Sequence, residues 1–251
     1  MDKENQIQKI IDFLKNEKLL FGDFSIPVAE LCRESITSKG DIKFHETDSA
    51  DDKASSDEFD KINNCNLLEE LEQLCASADE LKTDLKDTNL VFGTGNPDAD
   101  LMLIGEAPGA DEDRLGEPFV GRAGQLLNKI LKAINLERDH VYIANILKHR
   151  PPGNRNPLPE ERQRSLPYLY RQIDLIAPKL ILCLGKVAAT TLLEKDSDIA
   201  LGELRRTFHP FKNAELLVTY HPAALLRHTK WKRPVWEDVK RLRERYDELG
   251  C

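Results

Sequence analysis

Between residues 101 and 251, four side chains stand out for the chemistry their types allow: Glu106, Phe119, Asn145 and His221. Glu106 and Phe119 share one loop, GEAPGADEDRLGEPFVGRAG, dense in glycine, proline and acid. A carboxylate beside a flat ring suggests chemistry on a planar substrate. Asn145 adds an amide that both donates and accepts, and His221 adds an imidazole. Taken singly each has a plainer reading. A lone Phe packs in a core, a lone His at this place is a strand-end cap, and an Asn within an apolar strand is a satisfied polar group.

Their placement makes the plainer readings less apt. Short apolar runs at Leu101 to Ile104, Val141 to Ile146, Leu180 to Leu184 and Leu216 to Thr219 alternate with helical patterns, which predicts a parallel sheet flanked by helices. Glu106, Asn145 and His221 fall at or near the C-terminal ends of three of these strands. In an open α/β sheet those ends share one crevice, where ligands bind. The run after Ile146, KHRPPGNRNPLPEE, has too many prolines for regular structure, and its Arg150, Asn154 and Arg155 supply donors. The fourth strand leads into YHPAALLRH.

The net charge of −8 hides a division of sign. Residues 1–100 carry 11 Lys+Arg against 24 Asp+Glu, leaving 25 against 20 in residues 101–251. The motif-bearing half is therefore basic, most densely from Leu225 to Arg245, as suits a phosphate backbone. Five scattered cysteines, none in a C-x-x-C pair, read as reduced thiols. The first residues lack a signal-peptide pattern and no apolar run could span a bilayer, so a soluble cytoplasmic, nucleoid-associated protein with no membrane partner is expected.

Two parts are predicted. Residues 1–65 form an N-terminal extension, with a helix over Gln6 to Phe21 and an acidic, Ser-rich, disordered linker from Glu46 to Asp60. Residues 66–251 form the catalytic domain, opening on a helix over Asn66 to Leu81. The extension is a candidate site for a protein partner, and the chain is expected to be a monomer.

The blocks GEAPGADEDRLGEPFVGRAG, NILKHRPPGNRNPLPEE and TYHPAALLRH resemble the signature blocks of the family 4, iron-sulfur type uracil-DNA glycosylases, in the same order over roughly Asn66 to Arg245. The resemblance implies a three-layer α/β/α sandwich with a four-stranded parallel sheet, and uracil-containing DNA as substrate. It implies that Glu106 positions or activates the attacking water and that His221 lies near uracil O2. It also implies that Phe119 stacks on the extruded base and Asn145 reads its edge, with Gly105 beside them in the substrate site. Arg150, Asn154 and Arg155 become DNA-binding candidates, and Leu225, Leu226 and Arg227 candidates to fill the gap left by the flipped base.

The chemistry independently suits these types. Cleaving an N-glycosidic bond leaves the sugar electron-poor and the base anionic, so a carboxylate and a hydrogen-bond donor stabilise opposite developing charges. The amide of an Asn can donate to uracil O4 and accept from N3–H, whereas cytosine presents the reverse pattern.

One departure is sharp. The resemblance implies a [4Fe-4S] cluster held by four cysteines, whose positions fall here on Ala78, Leu81, His149 and Ser165. Fe-S clusters need mostly thiolate ligands, so no cluster and no metal is expected. The readings in competition are a cluster-free glycosylase and a catalytically silent DNA-binding or protein-interaction homologue. A Rossmann-type reading of Gly93-x-Gly95 is weak, because the third glycine position holds Asp98 and the pair precedes a strand.

Overall fold

All four apolar runs become strands of a single sheet in the computed structural model, which describes residues 59–251. The strands are β1 (Thr94–Gly95), β2 (Leu101–Gly105), β3 (Tyr142–Asn145), β4 (Leu180–Leu184), β5 (His209–Phe211) and β6 (Ala214–Thr219), in the order β1-β3-β2-β4-β6-β5. The inner four are parallel. The outer two run antiparallel and extend the expected four-stranded sheet to six. They escape sequence detection because two or three residues are too few to show a period of two. The glycines once readable as a nucleotide fingerprint serve this edge: a Cβ on Gly95 would come within 2.0 Å of the Val141 carbonyl oxygen.

Alternate residues of the inner strands enter two separate cores, as side chains of a strand must. Leu101, Leu103, Ile143, Leu182 and Leu217 face one layer, made of α3 (Arg122–Ala133), α7 (Pro222–Arg227) and α8 (Lys232–Glu248). Met102, Ile104, Ala144, Cys183 and Val218 face the other, made of α4 (Pro159–Ile176), α5 (Lys186–Leu192) and α6 (Leu201–Leu204). The result is the α/β/α sandwich, with α2 (Ala110–Leu115) in the loop after β2.

A third, smaller core lies where α1 (Leu68–Ser77) packs on α4. The helix expected to reach Leu81 stops at Ser77, with Ala78 extended at its C-cap and a 3₁₀ turn over Asp79–Leu81. Ile62 and Cys65 are buried in this core too. The predicted helix over Gln6 to Phe21, most of the acidic linker, and Cys32 lie outside the described residues.

The helices following β2 and β4 lie on opposite faces of the sheet, opening a crevice at the strand ends between them. Among the described residues no helix is long and apolar enough to cross a membrane.

Candidate active site

A cleft of about 360 Å³ opens at the C-terminal ends of β2, β3 and β6, lined by Glu106, Phe119, Asn145 and His221 together with Asn154, Arg155 and Arg227. The four residues singled out by chemistry, which belong to segments up to 115 positions apart in the chain, thus meet in one place. Gly105, paired with Asn145 across β2 and β3, does not itself line the cleft but makes room for two residues that do. A Cβ there would lie 2.3 Å from Asn145 Oδ1 and 2.7 Å from the Phe119 ring. Only glycine lets the amide and the ring approach this closely.

Phe119 is held in an unfavourable backbone conformation, with φ of 55°, a region that costs about 1–3 kcal/mol for a residue with a side chain. Arg138 offsets that cost by donating to two consecutive carbonyls, Pro118 O at 2.8 Å and Phe119 O at 3.1 Å. Glu112 ties the other side of the loop. Its carboxylate accepts from Gly109 N at 3.2 Å, Val120 N at 3.2 Å and Gly121 N at 3.1 Å. Gly124 completes the support, since a Cβ there would fall 1.7 Å from Phe119 O. Neither Arg138 nor Glu112 was singled out from sequence. Glu112 carried a signal, an acid three residues after Gly109 at a helix start. Arg138 carried none, because its partners lie 19 and 20 residues away.

Asn145 is 2% exposed, and its Oδ1 has no hydrogen-bond partner. An unsatisfied buried acceptor costs about 1–3 kcal/mol, so it marks a place where a ligand donor would be welcome. Beneath it Lys148, fully buried, donates to Asn145 O and Phe92 O at 3.1 Å and to Gln172 Oε1 at 2.7 Å. All three ammonium protons are used, and burial pulls the lysine down to about 8. The Gln172 amide continues the network to Tyr142 and Phe92 O.

His221 caps α7, with Nδ1 accepting from Ala223 N at 3.2 Å. That bond places the proton of the neutral ring on Nε2. Burial, and then the Arg227 guanidinium, lower its pKa to about 4, so the ring is neutral at ordinary pH. Its centroid lies 5.4 Å from that of Phe119. Glu106 is shifted the opposite way: burial raises its pKa, and the positive charge of Arg162 partly counters it. Arg162 is anchored by Thr191 Oγ1 at 3.0 Å.

The remaining expected site residues divide. Asn154, Arg155 and Arg227 reach the cleft, but Arg150 does not line it; its Nε donates to Asn154 Oδ1 at 2.7 Å. Arg155 is engaged by both oxygens of the buried Glu161, at 2.7 and 2.8 Å. Leu225 requires correction: it is 2% exposed and belongs to the core beneath α7, so it is not available to enter a DNA stack. On a helix, neighbouring residues project about 100° apart, and Leu226 is accordingly turned outward and 43% exposed.

The four positions where the resemblance implies cluster ligands do not fit one. Ala78 and Leu81 are buried in the third core with Leu71, Phe92 and Tyr168. His149 Nδ1 is 3.0 Å from Thr88 Oγ1, and Ser165 Oγ is buried without a hydrogen-bond partner. Among the described residues no group of three or more His, Cys, Asp and Glu could hold a metal ion. The proline-rich loop that follows His149 is tied by other means: Thr83 donates to Arg150 O at 2.6 Å and Leu158 N to Glu161 at 2.8 Å.

Comparison with known proteins agrees with this geometry. Residues 92–240 match the uracil DNA glycosylase superfamily. The chain is 41% identical to the type-4 uracil-DNA glycosylase of Sulfurisphaera tokodaii over 184 residues, covering 70% of this chain and 84% of that protein. It is also 41% identical to that of Archaeoglobus fulgidus, covering 68% and 87%, and to that of Pyrobaculum aerophilum, covering 64% and 85%.

Proposed function

Because the chain belongs to the type-4 uracil-DNA glycosylases, we propose that it hydrolyses the N-glycosidic bond of a uracil flipped out of DNA, the first step of base excision repair. The observation that carries this reading is the convergence of Glu106, Phe119, Asn145 and His221 on one cleft with an unpartnered Asn145 Oδ1. The cleft is of a size usual for small ligands.

In this mechanism the uracil ring lies against Phe119, Asn145 Oδ1 accepts from N3–H, and the amide nitrogen donates to O4. His221 Nε2–H donates to O2. As the C1′–N1 bond breaks, its electron pair moves onto the base, and the neutral imidazole stabilises the resulting anion without having to lose a proton. Glu106 orients a water toward C1′, and its carboxylate offsets the positive charge that develops on the sugar. Addition of that water to C1′ releases one proton, taken up through Glu106, and the departing uracil anion gains one from solvent, leaving an abasic sugar and free uracil. Flipping costs a few kcal/mol, offset by stacking and phosphate contacts. Leu226 and Arg227, exposed at the rim, suit the role of filling the vacated stack.

The reading includes a cluster-free enzyme, monomeric and cytoplasmic, in which packing and the Glu161 and Thr83 contacts hold the proline-rich loop. It also treats residues 66–251 as the catalytic domain and residues 1–65 as an extension able to engage a protein partner. The decisive experiment measures uracil release from single- and double-stranded oligonucleotides, with Glu106→Gln alongside and iron determined on the same preparation. Release by the parent, its loss in the variant and no stoichiometric iron are expected. A parent that binds the uracil strand without releasing the base is instead a silent DNA-binding homologue, and iron at about four atoms per chain overturns the cluster-free reading.

A further inference from the structure

A second concavity, a groove of about 330 Å³, is built from the same two helices as the cleft. On α3, Ala123 faces the cleft while Arg122, Gln125 and Lys129 face the groove. On α7, Ala224 and Arg227 face the cleft while Leu226 faces the groove. The packed seam between α3 and α7 is thus a ridge with the cleft on one side and the groove on the other, crested by exposed Leu226 and Arg227. Thr229 and Lys232 close the far wall.

The charge of the groove is one-sided. Three bases line it and no carboxylate does, although the chain as a whole is acidic. Arg122 and Lys129 are exposed and form no ion pair among the described residues. They stand seven residues apart with Gln125 between them, which puts all three on one face of α3. A row of unpaired cations and a polar amide on an open surface, lacking any aromatic platform on which a base could stack, suits phosphate oxygens.

We infer that this groove is a second DNA-contact surface, taking the phosphodiester backbone of the damaged strand where it continues past the flipped nucleotide over the Leu226–Arg227 ridge. The inference rests on the proposed function, since it is the flipped nucleotide that fixes the strand in the cleft. Contacts of this kind add affinity that is independent of sequence and weakens with salt, and they leave the chemical step alone.

The test compares the parent with an Arg122→Ala/Lys129→Ala double variant, both surface substitutions remote from the reacting atoms. A Lys61→Ala/Lys195→Ala variant removes the same charge from exposed positions elsewhere. Dissociation constants for a uracil-containing single-stranded oligonucleotide are measured across salt concentrations, with uracil release at saturation recorded in parallel. The groove variant should bind roughly tenfold more weakly at low salt, and its log–log salt slope should flatten by about 1.5, two phosphates' worth. Release at saturation should stay within about twofold, and the control variant should bind as the parent does. Trimming the strand to two nucleotides either side of the uracil should erase the difference. Equal binding and slope in parent and groove variant would overturn the inference, as would an equal loss in the control or a difference that survives trimming. If the parent releases no uracil, the proposed function fails separately, while the salt slope still reads the groove.

Discussion

Two buried regions of the molecule have been treated in opposite ways. In the cleft, polar atoms are kept and left in tension: Asn145 Oδ1 has no partner, Phe119 sits at positive φ, and Glu106 and His221 are both pushed toward neutrality by burial. In the corner beneath α1, where the family resemblance implies a metal cluster, apolar side chains close around Ala78 and Leu81. The cleft is held by charged hydrogen bonds, accepted by Glu112 and donated by Arg138 and Lys148, and the corner mainly by burial. Chemistry tolerates little displacement, so it needs directional supports, whereas a structural corner can change its means of support if the loop above stays in place.

That contrast can be broken most forcefully at Glu106. Replacing it with Gln should cut uracil release by about 10²- to 10⁴-fold while leaving the melting temperature nearly unchanged. A fall of less than about tenfold removes Glu106 from the mechanism. The opposite pattern is expected in the corner. Leu81→Ala should cost about 2–5 kcal/mol in denaturant unfolding, yet keep kcat within about threefold wherever the variant remains folded. A large loss of kcat in folded protein would show that the corner and the cleft are not separable.

Arg138→Ala probes the support of the cleft itself. Losing two charge-assisted hydrogen bonds to the Phe119 backbone should lower kcat about tenfold with a modest loss of stability, because the ring leaves its position beside Gly105. Unaltered kinetics would mean the glycines alone fix the ring. The smallest effect is a displacement along the pH axis. Glu106 must be ionised to act, and burial raises its pKa, so activity should fall on acidification at a higher pH than an exposed carboxylate would give. Arg162→Ala removes a countering positive charge and should move that acid limb upward, with the plateau rate unchanged. His221 contributes no limb near neutrality, being already neutral above about pH 4; a rate that declined through pH 6–7 as a histidine lost its proton would contradict this.

Much of the site is legible in the sequence alone. Strand ends announce themselves through apolar runs that stop at Gly or Pro, and parallel strand ends meet in one crevice, so Glu106, Asn145 and His221 were expected together. The two edge strands were too short to register. Leu225 was grouped with Leu226 because adjacency in sequence does not say which way a helix turns them, and packing put one in the core and the other in solvent. Arg155 looked like a free donor until Glu161 claimed both arms of its guanidinium.

The amino-acid sequence by itself determined the layer order, the motif-bearing strand ends, the basic character of the C-terminal part and the absence of cysteines at Ala78, Leu81, His149 and Ser165. These are local or compositional properties, set by residue type and spacing along the chain. Tertiary structure alone decided which polar groups would be satisfied and which left waiting. Arg138 finds Phe119, Lys148 finds Gln172, and the groove of Arg122 and Lys129 backs onto the cleft only because distant segments are packed together. Such pairings depend on directions and distances that a folded core imposes, and residue order carries no direct signal of them.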